Sequence, residues 1–322
     1  MSNTIIGLKS HIWNNNLRSM ALLAMFPMLF IFMLWAGGFI AMAMETSQQY
    51  GAINYDISTN TAHALVTEFG FYVLVGVAVW FAVAYFFNQR MINKSTGAHS
   101  LDRKDAPEVY DLLENLCISR GIKTPHLFII ESEGLNAYAS GINEKTYSVT
   151  LTRGLIAKLN KEELEGVIAH ELTHILNRDV RLLIVSIIFV GIISFLAQLL
   201  FRNMFYSRRR SNSKDGGKLI IVAFIVLAIG YVFAILIRFA MSRRREYMAD
   251  AGAVELTKNP NALASALAKI SGHAEIEGSS GEIKQMFIEN PPMFNFMHSG
   301  FFSIFSTHPP INKRIEFLKR MA

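Results

Sequence analysis

The chain has 322 residues, 52% hydrophobic and 17% charged, with mean hydropathy +0.30 and net charge +6. Soluble domains run nearer a quarter charged, so this composition points to a membrane protein, and a basic surplus placed beside apolar runs reads as topology-setting charge rather than a nucleic-acid surface. The one cysteine, Cys117, excludes an intramolecular disulfide; among Val109, Leu112, Leu113 and Leu116 it reads as a packed core thiol.

In chain order, the first features are two apolar runs, Met20–Met44 and Phe69–Phe87, each free of Lys, Arg, Asp and Glu. A span needs about 20 such residues. A cleaved signal peptide is the other reading of the first run, but its apolar stretch is longer than a signal core. Lys9 and Arg18 precede the pair, Arg90, Lys94, Arg103 and Lys104 follow it, and Glu45 to Glu68 holds no basic residue. The bias predicts a hairpin with both ends in the cytoplasm.

Residues 100–180 read as a soluble α/β segment. Asp105-Ala106-Pro107-Glu108 predicts a helix start with an Asp cap, and Gly121 a stop. His126–Glu131 and Ser148–Thr152 predict short strands. Between them lie Asn136–Gly141 and Asn143–Lys145. A second helix begins after Asn160 with Glu163 at the capping-box position, and is expected to run almost unbroken into a third apolar run, Leu182–Phe201. A fourth, Leu219–Ile237, follows a loop with six basic residues. Run length favours two crossings for this second pair, and loop charge favours none.

The second helix carries His170-Glu171-Leu172-Thr173-His174. Positions i and i+4 share a helix face, so both imidazoles can bind one zinc, with Glu171 beside the open position as general base. A catalytic zinc wants a third protein ligand, and the residues just after His174 offer no further histidine. Glu246, in Arg245-Glu246-Tyr247-Met248-Ala249-Asp250, is the best candidate, with Asp250 four residues on to orient a ligand histidine. Residues 274–303 stay unassigned.

HELTHILNRD, REYMADAGA and STHPPINKRIEFL together resemble the HtpX heat-shock protease family of bacterial membranes, itself related to membrane proteases that trim prenylated proteins. The resemblance covers nearly the whole chain. It implies that His170, His174 and Glu246 bind one zinc ion, that Glu171 is the base and that Asp250 supports the ligands. It implies that Asn136 and Ala137 belong to an edge strand holding substrate backbone by strand addition. It implies that His308 donates to the developing oxyanion, against the plainer reading of a turn histidine before two prolines. Asn177, Asp179 and Arg314 read as structural hydrogen-bonders. Tyr138 stands where Phe is more usual, a change expected to matter little.

The expected architecture is a mostly α membrane protein with four hydrophobic helices and an α+β zincin-like protease domain. A transmembrane hairpin (1–90) precedes the first protease part (91–181). A second hydrophobic hairpin (182–240) precedes the second part (241–322). The expected function is a zinc endopeptidase of the bacterial inner membrane, its site facing the cytoplasm and its substrates misfolded membrane proteins. The alternatives are a narrow-specificity processing protease and a non-catalytic zinc-binding scaffold or sensor. The lipid bilayer and polypeptides are the expected partners, and nucleic acid is not.

Overall fold

The structure is a computed structural model describing residues 2–185, 187–188, 191–192, 202, 228, 230, 244–271, 273–274, 286–288 and 309–322, with side chains before 23 described only at 17, 20 and 21. It divides into two compact units, one of residues 1–19, 86–184 and 238–322, the other of 20–85 and 185–237.

The second unit contains most of two long helices, α1 (Ser2–Tyr50) and α2 (Tyr55–Thr96). Both outrun the apolar stretches that predicted them. The polar residues from 45 to 68, expected as a long connection, continue the helices instead, leaving only Gly51–Asn54 as the turn. Thr46 Oγ1 accepts from the Asn54 N–H at 3.1 Å, and Asn54 Oδ1 accepts from Ile57 N–H, capping α2. Gly38 lies so close to Leu65 that a Cβ there would collide with it, the small-residue contact by which membrane helices pack. Leu23–Tyr50 and Tyr55–Thr96 are the segments, among the described residues, long and apolar enough to span a bilayer, and no more than 28% of the most apolar window of either is buried. Phe71, Tyr72 and Met28 are largely exposed, as lipid-facing side chains would be. The third and fourth apolar runs lie mostly outside the described residues.

The other unit is built round a four-stranded sheet and one central helix. The strands are β1 (His99–Ser100), β2 (His126–Ile130), β3 (Ala137–Ser140) and β4 (Ser148–Thr152), in the order β1-β2-β4-β3. β2 and β4 pair in parallel; the outer pairs are antiparallel. β3 is therefore an edge. Side chains alternate across a strand, so Tyr138 and Ser140 share one face. There the Tyr138 hydroxyl meets Thr96 Oγ1 at 3.0 Å, and Gln89 accepts from Ser140 and Ser148, tying the sheet to the last turns of α2. The Tyr138 hydroxyl thus has a use that the sequence did not suggest.

Helix α3 (Pro107–Arg120) starts with Pro107 in its first turn, but Ala106, not Asp105, occupies the N-cap and no side chain caps it; Gly121 ends it at φ 64°. Cys117 is enclosed in its core face, and burial pushes the thiol up to about 11. The short α4 (Arg153–Lys158) leads to α5 (Lys161–Leu176), whose capping box is complete: Asn160 accepts from Glu163 N–H, and Glu163 from Asn160 N–H. Val167, Ile168 and Leu172 bury one face of α5 completely. Two further helices pack on it, α6 (Arg244–Thr257) and α7 (Pro260–Ile270), and α8 (Ile311–Lys319) packs on both of these. The contacts are close. A Cβ on Gly252 of α6 would lie 2.9 Å from Thr173 Oγ1, and one on Gly166 of α5 would lie 3.3 Å from the Leu263 backbone. Glu163 also reaches α7, accepting from Ser265 Oγ and Lys269 Nζ at 2.6 Å each.

The expected near-continuity of α5 with the third apolar run is broken. The chain turns at Asn177 and Arg178, the latter at φ 58°, and becomes helical again at 179. No glycine or proline announces this turn.

Candidate metal centre

Residues 170 and 174 lie one helical turn apart on α5, and Glu246 comes from the first turn of α6. Their nearest atoms converge: His170 Nε2 to His174 Nε2 is 3.2 Å, and Glu246 oxygens lie 3.7 Å from each of the two Nε2 atoms. All three ligand atoms fall within 4.8 Å of one another. Donors bound to a tetrahedral zinc at about 2.0–2.2 Å sit about 3.3–3.6 Å apart, so the triangle has the size such an ion requires.

The backs of both imidazoles are held. His174 Nδ1 lies 3.1 Å from Asp179 Oδ2, and His170 Nδ1 lies 3.0 Å from Asp250 Oδ1. Donating Nδ1–H to a carboxylate leaves the Nε2 lone pair directed at the shared centre, the usual arrangement behind ligand histidines. The Arg178 turn is what carries Asp179 back to His174. Asp250 in turn accepts from Arg314 on α8, through Nη2 at 2.7 Å and Nε at 3.0 Å. Burial alone would push Asp250 up, but Arg314 and His170 outweigh it and hold it below its ordinary value.

The electrostatics ask for a cation. Four carboxylates, Glu171, Asp179, Glu246 and Asp250, and only two guanidiniums, Arg245 and Arg314, are buried around the two histidines. Burial and Arg314 lower the proton affinity of His170, yet hydrogen bonds to Asp250 and Glu246 override them and carry it up to about 9. A site that draws a proton onto a buried imidazole also suits a divalent metal in its place. Two imidazoles, a carboxylate and the supporting carboxylates behind them match the ligand chemistry of zinc.

Glu171 lines the cleft beside His174 and Glu246, together with Ala139, Val180, Leu183, Arg245 and Met286. Its carboxyl is buried, which raises its proton affinity, and it accepts the Ala139 amide of β3. The edge strand and the base are thus in direct contact. Asn136 and Ala137, expected to hold substrate backbone, hold the chain itself. The Ala137 carbonyl accepts from Ile288 N–H at 3.0 Å, while the Asn136 amide donates to Ala274 O and its oxygen accepts from Ile288 N–H. His308 lies outside the described residues.

The sequence marked Arg314 as a structural hydrogen-bonder but not as a partner of the candidate ligands, and it gave no part to Arg245. Arg314 touches Asp250, lies 3.6 Å from Glu246 and donates to the Ile288 carbonyl. Its partners lie 26 to 144 positions away, so no local pattern announces it. Arg245 had the clue of standing beside the candidate ligand Glu246.

A profile of peptidase family M48 matches residues 103–322. A protease HtpX homolog of Bacteroides fragilis is 50% identical over 321 residues, covering 98% of this chain and 99% of its own. One from Dictyoglomus thermophilum is 40% identical over 258 residues, covering 79% and 82%. The crystal structure of S. mikatae Ste24p aligns over 79% of this chain and 60% of its own, at 20% identity and a TM-score of 0.48. The chain belongs to peptidase family M48 and, within it, to the HtpX proteases.

Proposed function

We propose that this chain is a zincin-like endopeptidase of the bacterial inner membrane, with its site on the cytoplasmic side and with damaged or misfolded membrane proteins as substrates. The observation that carries the chemistry is the convergence of His170, His174 and Glu246 to within 4.8 Å beside a buried Glu171 that is no part of the triangle. A zinc ion held by the three would polarise the scissile carbonyl and acidify the attacking water. Glu171 takes the proton from that water and returns it to the leaving amine; burial, which raises its proton affinity, suits it to both transfers. Asp179 and Asp250 keep both imidazoles in the ligating tautomer. The substrate backbone runs along β3 at Ala139, which lines the cleft, and Asn136 and Ala137 hold the Ile288 segment. His308 is assigned the oxyanion donor's part by its place in the His-Pro-Pro stretch.

Zinc content and casein cleavage, measured on the same preparations of wild type and Glu171→Gln, test this. The variant is expected to keep one zinc per chain and lose nearly all cleavage. A metal-free variant, or one with near-normal turnover, overturns the assignment of Glu171.

A further inference from the structure

Arg245 and Arg314 are both buried beside the candidate metal ligands, and only one of them is satisfied. Arg314 donates to Asp250 and to the Ile288 carbonyl. Arg245 is only 5% exposed, its Nε is fully enclosed without a hydrogen-bond partner, and no carboxylate among the described residues lies within ion-pair distance of it. The nearby acids are committed elsewhere: Glu246 to His170, His174 and Arg314, Asp179 to His174, and Glu171 to the Ala139 amide. Burying a guanidinium without a partner is costly, and the cost is recovered only if something brings a negative charge to it.

Its position says what that is. Arg245 lines the cleft that Glu171, His174, Asp179 and Glu246 also line, and the rest of the wall is apolar, from Ala139, Val180, Leu183 and Met286. A cleft whose acids are already engaged, with a single guanidinium beside the hydrolytic groups and apolar side chains completing the wall, is a subsite for a chain that carries one anion. The planar fork of arginine matches a carboxylate through two parallel hydrogen bonds.

We infer that Arg245 is a specificity-determining residue that binds a carboxylate of the substrate next to the scissile bond. This inference rests on the peptidase reading. The carboxylate has two sources, an Asp or Glu side chain close to the bond or the free α-carboxylate of a chain terminus.

Fluorogenic peptides with one common core separate the two sources. One series carries Asp or its neutral isostere Asn at each of the three positions on either side of the bond; the other ends in a free carboxylate or an amide. Full-length zinc-loaded protein in detergent is assayed for kcat and KM. Binding of the same peptides to Glu171→Gln protein is followed by fluorescence anisotropy. In one series, the carboxylate peptide is expected to exceed its neutral partner by about tenfold to a hundredfold, chiefly through KM and equally in binding. Arg245→Gln is expected to bring that ratio to about one. Arg245→Lys, which keeps the charge but not the fork, is expected to fall between.

Brisk cleavage with no preference in either series overturns the subsite and leaves the peptidase reading intact. No cleavage of any peptide, with the carboxylate preference still present in binding, overturns the peptidase reading and keeps the subsite. If Arg245→Gln loses zinc, the Lys variant decides: an undiminished ratio there overturns the bidentate assignment.

Discussion

Arg314 and Asp250 form a buried two-point pair, Nη2 to Oδ1 at 2.7 Å and Nε to Oδ2 at 3.0 Å, and the same Asp250 Oδ1 stands 3.0 Å from His170 Nδ1. One carboxylate thereby links α8 to a candidate ligand on α5. Removing one member of such a pair strands the other as a buried charge, at a cost of about 3–5 kcal/mol. Arg314→Met is therefore expected to lower the thermal unfolding midpoint strongly. Asp250→Asn should weaken zinc binding by about 10–100-fold, the usual cost of losing a group behind a ligand. Glu246→Ala should weaken it further, since it removes a direct bond. Competition with a zinc chelator ranks the three. Zinc affinity in Glu246→Ala equal to that of wild type would sink the ligand assignment.

The second prediction concerns the contact that brings Glu246 to the histidines. α6 reaches α5 because Gly252 has no side chain where Thr173 lies. Gly252→Ala places a methyl group against Thr173 Oγ1 and Cγ2, and the helices must separate. Overpacking of this kind costs about 1–3 kcal/mol, and here the separation also moves Glu246 off His170 and His174. Zinc retention should drop along with stability. Thr173→Ala in the same chain removes both colliding atoms and is expected to restore zinc. If the double variant binds no better than Gly252→Ala alone, the close approach is not what sets the ligand triangle.

How much of this was legible beforehand depends on how local each signal is. The start and the buried face of α5 could be read, because its cap, capping box and apolar period are local and sit within residues 160–176. Glu246 was legible for a chemical reason, the need for a third ligand. β3 has no strand-like alternation of apolar and polar residues: Ala137, Tyr138, Ala139 and Ser140 are all buried, and only the family resemblance pointed to it. The apolar runs marked where lipid can lie but not where the helices end, since Thr46, Gln48 and Asn60 can be helical in water as well. The Arg178 turn was invisible because the residue adopting the left-handed backbone is an ordinary arginine.

The third prediction is a pH effect at Glu163. Burial pushes this carboxyl up, but Lys269, Ser265 and the Asn160 amide together outweigh it and hold it below its ordinary value. A carboxylate whose folded pKa is depressed contributes stability that is present above its unfolded value, near pH 4.3. That stability is lost as pH falls through the folded value. Glu163→Gln is therefore expected to cost about 1.5–3 kcal/mol at pH 7, the range for a hydrogen bond to a charged group. The gap to wild type should close as the pH is lowered below about 4. Unfolding midpoints from intrinsic fluorescence at pH 7 and pH 3.5 test it. A gap that is the same at both would mean that the charge of Glu163 contributes nothing.

The last prediction fixes the topology. The Gly51–Asn54 turn joins α1 to α2, and no Lys or Arg stands between Glu45 and Glu68, whereas both outer flanks are basic. Positive charge stays in the cytoplasm, so the turn should face out and the start of the catalytic unit should face in. Ala52 is exposed and suits a probe. Ser58 does not, because it is fully buried and its hydroxyl donates to the Asn54 carbonyl. In a Cys117→Ser background, Ala52→Cys is expected to react with a membrane-impermeant maleimide in intact cells. Lys104→Cys should react only after permeabilisation. The second pair of apolar runs is judged by Ser211→Cys. If one metal is to meet His170, His174 and Glu246, the chain between them crosses an even number of times. Two crossings would export a loop with Arg202, Arg208, Arg209, Arg210, Lys214 and Lys218 against the single acid Asp215. That charge should keep residue 211 unlabelled from outside, with the pair embedded in the bilayer without crossing it. Labelling at 211 as strong as at 52 would mean that both runs span and that their length has overridden the charge. Labelling at 104 but not at 52 would invert the whole orientation and place the catalytic unit outside.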